Sequence, residues 1–148
     1  MKKPINEFKI QFQSKSANEG FARTTVSAFV SQLDPTVEEI NDIKTAVSEA
    51  VTNCIVHAYP DTVGKIYITV FLYDDGNVKI KVRDTGKGIE DVKKAREPLY
   101  TTGGEDRSGL GFSVMESFTD KMYVRSLPGK GTTVTLIKSI EGKPRDNR

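Results

Sequence analysis

A β-hairpin in the middle of the sequence restricts the fold more than any other feature. Residues 66–73 are rich in β-branched and aromatic side chains, and Val78, Ile80 and Val82 alternate with polar residues after an Asp-Asp-Gly-Asn segment. Such a segment between two strand-forming runs is typical of a tight turn, and strands joined by so few residues pair antiparallel. The sequence therefore predicts an antiparallel sheet around this hairpin.

Two long amphipathic helices are predicted before the hairpin. Apolar residues recur at spacings of three and four over 17–33, and again from Ile40 to Ala58 ahead of Pro60. Each run follows the Ser/Thr-x-x-Glu spacing of a capping box, in which the first side chain and the Glu satisfy each other's backbone N–H groups. The two predicted boxes are Ser16 with Glu19, and Thr36 with Glu39.

Shorter elements surround this centre. Alternation predicts a strand through residues 8–12 and two more at 122–126 and 132–139, with short helices at 90–96 and 111–118. Helices must cover one face of such a sheet. We therefore predict an α/β two-layer sandwich in a single domain over 1–140, followed by a polar C-terminal tail at 141–148.

Composition excludes several classes of function. A single Cys cannot form an internal disulfide, and with a single His it makes a structural zinc site implausible. The longest strictly apolar run has four residues, and no apolar h-region follows the N-terminal lysines, so we expect neither a membrane span nor a secretory signal. The 22 basic and 20 acidic residues are spread along the chain, which gives no electrostatic case for nucleic acid. A cytoplasmic protein is expected, with no membrane and no direct nucleic-acid partner.

Three polar residues share one stripe of the second predicted helix. Glu49, Asn53 and His57 follow each other at intervals of four. An Asn oxygen is a ligand suited to Mg²⁺, and a Glu one turn away could accept a proton from a nucleophile. On the helix alone, a solvated polar stripe with Glu49 paired to a Lys is the favoured interpretation.

Three glycine-containing segments are weak indicators of nucleotide binding when taken one at a time. In D-T-G-K-G, Asp84 could accept from the amine of a base while the glycines permit close approach, but an ordinary turn has the same pattern. In R-S-G-L-G, ahead of a predicted helix, backbone N–H groups could cradle a phosphate with help from Arg107, or the segment could be a flexible loop ending in a cap. Gly131-Thr132 alone indicates only a hairpin turn.

The order and spacing of these motifs are more specific than any single motif. E-x-x-x-N on a helix, then D-x-G-x-G, then G-x-G before a helix, then G-T before a strand resembles the Bergerat nucleotide-binding fold. Gyrase-type ATPases, histidine kinases and DNA mismatch-repair ATPases share that fold. The resemblance covers residues 8–139 and implies a mixed, mostly antiparallel sheet with helices on one face and ATP between them.

Continuous blocks of sequence narrow the resemblance. F-A-R at 21–23, L-D-P-T at 33–36, S-E-A-V-T-N at 48–53, P-L-Y-T-T at 98–102 and R-S-G-L-G-F at 107–112 are similar to the sporulation anti-sigma factors of endospore-forming bacteria. The resemblance implies a protein that binds and inhibits sigma-F. It also implies an ATP-dependent serine kinase that phosphorylates and inactivates the anti-anti-sigma factor.

The same resemblance implies roles for the residues near the reacting phosphate. Asn53 matches the residue that binds Mg²⁺, and Glu49 matches the catalytic acidic residue, expected here to activate the incoming serine hydroxyl. Arg107 is expected to reach the γ-phosphate.

The resemblance also implies a nucleotide site for ATP or ADP. Asp84 matches the residue that recognises adenine, with Gly86 and Gly88 near the base and Thr132 supporting it. The residues expected at the triphosphate are Gly109, Gly111, and Thr101 and Thr102 in a lid.

Partner contacts are implied for the first helix. We expect Arg23 and Glu19 to belong to a docking surface for both the sigma factor and the antagonist, although a lone surface Arg is usually only solvated. The resemblance further implies a homodimer.

Other functions stay open from the sequence. An anti-sigma-B stress-response kinase would share every motif. A non-catalytic, ATP-dependent sigma-binding module would need no base at Glu49. A histidine kinase would need a phosphoacceptor His on a separate helix, whereas His57 lies within the nucleotide-binding helix.

Overall fold

The computed structural model describes residues 2–97 and 111–142. These residues form the strands β1 (Asn6–Gln13), β2 (Lys65–Leu72), β3 (Asn77–Asp84), β4 (Lys121–Leu127) and β5 (Gly131–Ser139). The helices are α1 (Ala17–Val30), α2 (Val37–Asn53), α3 (Val92–Arg96) and α4 (Phe112–Ser117). A 3₁₀ turn, Ser31–Leu33, follows α1, and a π-helical turn, Cys54–Ala58, follows α2.

The predicted hairpin is confirmed and forms the centre of the sheet. The strand order is β1-β2-β3-β5-β4, and each of these neighbouring pairs is antiparallel. In the turn between β2 and β3, Gly76 has a φ of +89°, and the Asp75 carboxylate accepts from the Asn77 amide at 3.0 Å. The predicted α/β class with a mostly antiparallel sheet is therefore confirmed.

The core lies between one face of the sheet and the helices. Ile66, Ile68, Val70 and Leu72 of β2 alternate with partly exposed residues and are fully buried. Apolar residues of α1 and α2, Val26 and Val47 among them, belong to the same cluster and are also fully buried. Burying each such side chain stabilises the fold by about 1.5–3 kcal/mol. None of the helices in the described ranges is both long enough and apolar enough to cross a bilayer.

The side chains on the opposite face of the sheet do not belong to the hydrophobic core of the described residues. They are the alternate residues of each strand, aligned across the sheet by the register. We call this surface the open sheet face. Its basic residues are Lys9, Lys65, Lys79, Lys81, Arg83, Lys121 and Arg125. The basic residues that are spread along the sequence are therefore concentrated in space.

One of the two predicted capping boxes is present and the other is wrong. The Thr36 side chain accepts from the Glu39 amide at 3.1 Å, and Glu39 accepts from the Thr36 amide at 2.9 Å. Thr36 has the extended backbone that a capping side chain needs, whereas Ser16 is helical, with φ −57° and ψ −31°, and its side chain makes no capping bond. Glu19 is consequently available to other partners.

The start of the predicted tail is held by the second helix. The amides of Glu141 and Gly142 donate to the Glu39 carboxylate at 2.8 and 3.2 Å. Burial alone would raise the pKa of Glu39, but the backbone donors of Thr36, Glu141 and Gly142 outweigh it and lower the pKa below its usual value. The rest of the tail, 143–148, lies outside the described residues.

Candidate functional site

A cavity of about 220 Å³ lies between the end of α2, strands β3 and β5, and the start of α4. Four of the predicted site residues line it: Asn53, Asp84, Gly88 and Thr132. The fold therefore brings together residues that are 79 positions apart, from Asn53 to Thr132, as the predicted nucleotide site requires.

Asp84 is fixed at the end of β3 by hydrogen bonds to both carboxylate oxygens. Its Oδ1 accepts from the amides of Gly86 at 2.9 Å and Thr132 at 3.2 Å, and its Oδ2 accepts from Cys54 Sγ at 3.5 Å. Only 6% of Asp84 is exposed. Burial raises the pKa of this carboxyl above its usual value, although the three donors act in the opposite direction. A buried carboxylate held in one orientation can select a ligand by the position of its donor groups.

Thr132 belongs to a small network that joins two loops. Its hydroxyl lies 2.7 Å from Ser126 Oγ, across the β4–β5 pair, and Ser126 Oγ also accepts from the Ile89 amide at 2.8 Å. The loop after β3 is thereby tied to the β4–β5 hairpin. Thr132 is positioned through its side chain as well as by its backbone bond to Asp84.

The two glycines of the D-x-G-x-G motif allow the backbone to pack closely. A Cβ on Gly86 would overlap the Ala58 carbonyl, and a Cβ on Gly88 would overlap the Leu127 carbonyl. Gly88 also has a φ of +76°, which disfavours other residues. Gly88 lines the cavity and Gly86 does not, so the space at Gly86 serves the packing of the loop on the turn after α2.

The uninterrupted α-helix predicted to Ala58 is wrong beyond Asn53. The amide of Tyr59 donates to the Cys54 carbonyl at 3.1 Å, which is the five-residue spacing of a π-turn. Such turns occur frequently at functional sites because they redirect side chains. Here the turn places Cys54, His57 and Ala58 along the cavity wall.

Asn53 and Glu49 lie on α2. We call their part of the site the Asn53 end, and the surroundings of Asp84 on β3 the Asp84 end. Asn53 Nδ2 is buried and has no hydrogen-bond partner among residues 2–97 and 111–142. Glu49 does not line the cavity; its carboxylate lies against Gly111, where a Cβ would overlap Oε2. Gly111 has a φ of +64° and is the N-cap of α4. The amide and carboxylate oxygens are hard ligands of the kind that Mg²⁺ takes, and an unsatisfied buried amide is a group that a ligand would complete.

Four predicted site residues lie outside the described residues. They are Thr101, Thr102, Arg107 and Gly109.

Arg23 and Glu19 lie on α1 and not at the cavity. Arg23 Nη1 is 3.1 Å from Glu19 Oε2, and the same carboxylate oxygen accepts a hydrogen bond from the Ser48 hydroxyl. Ser48 is adjacent in sequence to Glu49. Glu19 therefore links Arg23 to the helix that carries the predicted base.

Two residues at the site were not predicted as functional. They are Cys54 and Ser126, which belong to none of the sequence motifs. In the register of the β4–β5 hairpin, Ser126 pairs with Thr132, so the predicted hairpin could have indicated Ser126 as a neighbour of the site. The Cys54–Asp84 contact joins the π-helical turn after α2 to β3 across 30 positions and has no local signal.

Comparison with known proteins identifies the family. The family described as Histidine kinase-like ATPase domain matches residues 12–138. An anti-sigma F factor of Caldanaerobacter subterraneus subsp. tengcongensis is 58% identical over 136 residues, which cover 91% of this chain and 94% of that protein. An anti-sigma F factor of Geobacillus kaustophilus is 52% identical over 136 residues, covering 91% and 93%.

Solved structures agree on the fold. A crystal structure of RsbU and RsbW domains from Mycobacterium tuberculosis matches 98% of this chain with a TM-score of 0.72 and 22% identity, and this chain spans 35% of that one. The histidine kinase domain of a blue-light activated kinase from Erythrobacter litoralis matches 82% of this chain and 61% of its own, with a TM-score of 0.57 and 19% identity.

The match over most of the chain, together with the high identity to curated relatives, is sufficient to assign the family. The chain belongs to the histidine kinase-like ATPase family and, within it, to the anti-sigma F factors.

Proposed function

We propose that this chain is an ATP-dependent serine kinase that also binds and inhibits the sporulation sigma factor sigma-F. The observation that carries the kinase half is the cavity that unites Asn53, Asp84 and Thr132, with Glu49 one helical turn from Asn53. The anti-sigma half is supported by the names of relatives that are 52–58% identical. The protein substrate would be the anti-anti-sigma factor.

The adenine is proposed to bind at Asp84. The base amino group would donate to the buried carboxylate, and Thr132 would support the ring edge. Because both oxygens of Asp84 already accept hydrogen bonds, the carboxylate would be in place before the nucleotide arrives. Such preorganisation avoids part of the ordering cost of binding.

The phosphates are proposed to lie towards Asn53 and Glu49. Mg²⁺, held there by Asn53, would neutralise charge on the phosphates. Glu49 is proposed to take the proton of the incoming serine hydroxyl as its oxygen bonds to the γ-phosphorus, while ADP leaves. Arg107, Thr101, Thr102, Gly109 and Gly111 are proposed to contact the phosphates, as the family resemblance implies.

Replacing Glu49 with Gln tests the catalytic proposal. The amide keeps the size of the side chain but cannot accept the proton, so we expect phosphoserine formation to fall by at least about 100-fold. Binding of a fluorescent ATP analogue should change by less than about threefold, since the site for the base is intact. Glu38→Gln, a matched change on the exposed side of α2, should leave both unchanged. A normal rate of phosphorylation by the Glu49→Gln protein would refute the role of Glu49.

The docking proposal is tested at Arg23. Arg23→Glu would place two carboxylates together, since Glu19 now pairs with Arg23 at 3.1 Å. We expect affinity for both sigma-F and the anti-anti-sigma factor to fall at least about tenfold, in the range for interface charge reversals. Lys93→Glu on α3 makes the same change of charge and should have no effect. Unchanged affinity of the Arg23→Glu protein for both partners would remove α1 from the docking surface.

A non-catalytic module is the second candidate. In that case a ternary complex with ATP and the antagonist would accumulate without phosphoserine. Measuring the affinity of this chain for sigma-F and for sigma-B would distinguish a sporulation switch from a stress-response kinase. A cytoplasmic location and a homodimer complete the proposal, both on the family resemblance.

A further inference from the structure

The open sheet face concentrates positive charge. Among the described strand residues on this side of the sheet, seven are Lys or Arg and one, Glu7, is acidic, while Asp75 and Asp120 line a cavity together with Lys79 and Lys121. The rest of the sequence then holds 15 basic and 19 acidic residues. The near-neutral total therefore hides one strongly basic face. A basic face on a protein of otherwise acidic composition is an electrostatic footprint for a polyanion.

The seven cations of this face take no part in the ion pairs of the described residues. Those ion pairs involve Lys2, Arg23, Arg96 and Lys138 instead. Lys79, Lys81 and Arg83 alternate along β3, so their backbone positions are about 7 Å apart. A row of unpaired like charges is destabilising by self-repulsion, and an anionic ligand would relieve it.

Aromatic rings lie between the cations. The Arg83 guanidinium lies 4.1 Å from the centre of the Tyr67 ring, and Lys79 Nζ lies 5.1 Å from that of Phe71. Tyr123 is 54% exposed on the neighbouring part of the face. Rings and stacked guanidinium planes are surfaces on which unpaired bases stack.

Two shallow grooves cross this face. One, of about 510 Å³, is lined by residues that include Lys9, Tyr67, Lys81 and Arg83. The other, of about 660 Å³, is lined by Lys81 again and by Tyr123 and Arg125. Because Lys81 belongs to both grooves, a single extended chain could follow one groove into the next. Each groove offers cations for phosphates and a ring for a base.

We propose that the open sheet face binds single-stranded nucleic acid. A sheet that presents cations and aromatic rings together is a recurrent platform for single strands. A second copy of this chain is disfavoured because two such faces would place like charges opposite each other. Single strands are favoured over a duplex because the exposed rings of this face could stack on unpaired bases, whereas the bases of a duplex are already stacked on one another. The expectation of no nucleic-acid partner was based on the charge along the sequence, which does not reveal how the fold groups the basic residues.

Fluorescence anisotropy of a labelled oligo-uridine of about twelve nucleotides tests the proposal. We expect binding that weakens with salt, with a slope of log affinity against log salt of about −3 for four phosphate contacts. Lys81→Gln combined with Arg83→Gln should weaken binding at least about tenfold and reduce that slope by about 1.4. Lys93→Gln with Lys94→Gln, exposed on α3, removes the same charge and should leave affinity within about twofold.

A second variant separates stacking from charge. Tyr123→Ala should weaken oligo-uridine binding by about tenfold, whereas Tyr123→Phe keeps the ring and should bind normally. The ring is on the surface, so neither change should unfold the protein.

Several outcomes would overturn the proposal. Displacement by poly-glutamate at equal concentration, with no effect of Tyr123→Ala, would make the face a site for an acidic protein segment. Equal affinity for a duplex, or an absence of binding at low salt, would also reject it. Phosphorylation by the single variant Lys81→Gln should be unchanged, so failure here is distinct from failure of the proposed kinase.

Discussion

The two ends of the cavity are built in different ways. At the Asp84 end, both carboxylate oxygens accept hydrogen bonds, from the loop after β3, from β5 and from Cys54. At the Asn53 end, a buried side-chain nitrogen has no partner in the described ranges. An unsatisfied buried polar group costs about 1–3 kcal/mol of stability, whereas a bonded one does not.

Under the proposed function, this difference separates recognition of the nucleotide from the phosphoryl-transfer reaction. A group that is already bonded is rigid and can measure the shape of a ligand before it binds. A group that lacks a partner gains one with the ligand, and where that ligand is the proposed Mg²⁺, its contribution grows as charge develops on the phosphates in the transition state. We therefore expect changes at the Asp84 end to alter affinity, and changes at the Asn53 end to alter rate.

The largest effect is expected for Asn53→Ala. Loss of the proposed Mg²⁺ ligand should lower phosphoryl transfer by about 100- to 1,000-fold at saturating ATP. The melting temperature should change little, because the substitution removes an unsatisfied buried amide and offsets the small cavity that it leaves. Single-turnover phosphorylation and thermal unfolding measure the two quantities.

The neighbouring residue provides the control for that variant. Thr52 is exposed on α2, so Thr52→Ala should affect neither rate nor melting temperature. If the Asn53→Ala protein phosphorylates at the normal rate but binds ATP more weakly, the Asn53 end contributes to recognition of the nucleotide and not to the reaction. A large fall in melting temperature would mean that the amide has a structural partner.

A smaller effect, confined to affinity, is expected for Asp84→Asn. Hydrogen bonds to charged groups are worth about 1.5–3 kcal/mol, so the KM for ATP should rise about 10- to 100-fold while kcat stays within a few-fold. Asp74→Asn, in the exposed hairpin turn, is the matched control and should leave both constants unchanged. A loss in kcat without a change in KM would assign Asp84 to the reaction instead.

The sequence predicts the fold well wherever local rules act. The hairpin of β2 and β3 and the Thr36 capping box follow from patterns within ten residues, and both are present. The predicted Ser16 capping box is absent, because sequence spacing does not determine the backbone dihedral angles of Ser16. The prediction of a continuous α-helix fails after Asn53 for a related reason, since apolar spacing alone does not distinguish a π-turn from a continued α-helix.

The site is predicted less completely, because part of it depends on contacts across the sheet. Motif order and family resemblance indicated Asn53, Asp84 and Thr132, and these three do line one cavity. No local pattern predicts that Cys54 bonds to Asp84, or that Glu49 rests on Gly111. The charge of the open sheet face was also hidden, because it arises from alternation on four strands that the register aligns.

The pH dependence of the Asp84 end follows from the raised pKa of its carboxyl. For folding, a raised pKa in the native state gives a contribution to stability that is full below the unfolded pKa and is lost as the pH rises through the folded value. A base amino group donates most strongly to the ionised carboxylate. Nucleotide affinity should therefore have the opposite dependence and weaken as the pH falls through the folded pKa of Asp84.

The smallest expected effect comes from Cys54, which supplies one of the three donors. Burial raises the pKa of its thiol well above the usual value, so the sulfur stays protonated and donates to Asp84. Cys54→Ala should raise the pKa of Asp84 further. Near neutral pH, affinity for the ATP analogue should change by only about two- to threefold. On acidification, the variant should lose affinity at a higher pH than the wild type does. Cys54→Ser keeps a donor and should restore the wild-type profile, as titrations of the analogue across pH would measure. Parallel profiles for Cys54→Ala and wild type would mean that the thiol only fills space, and that backbone amides alone hold the Asp84 end.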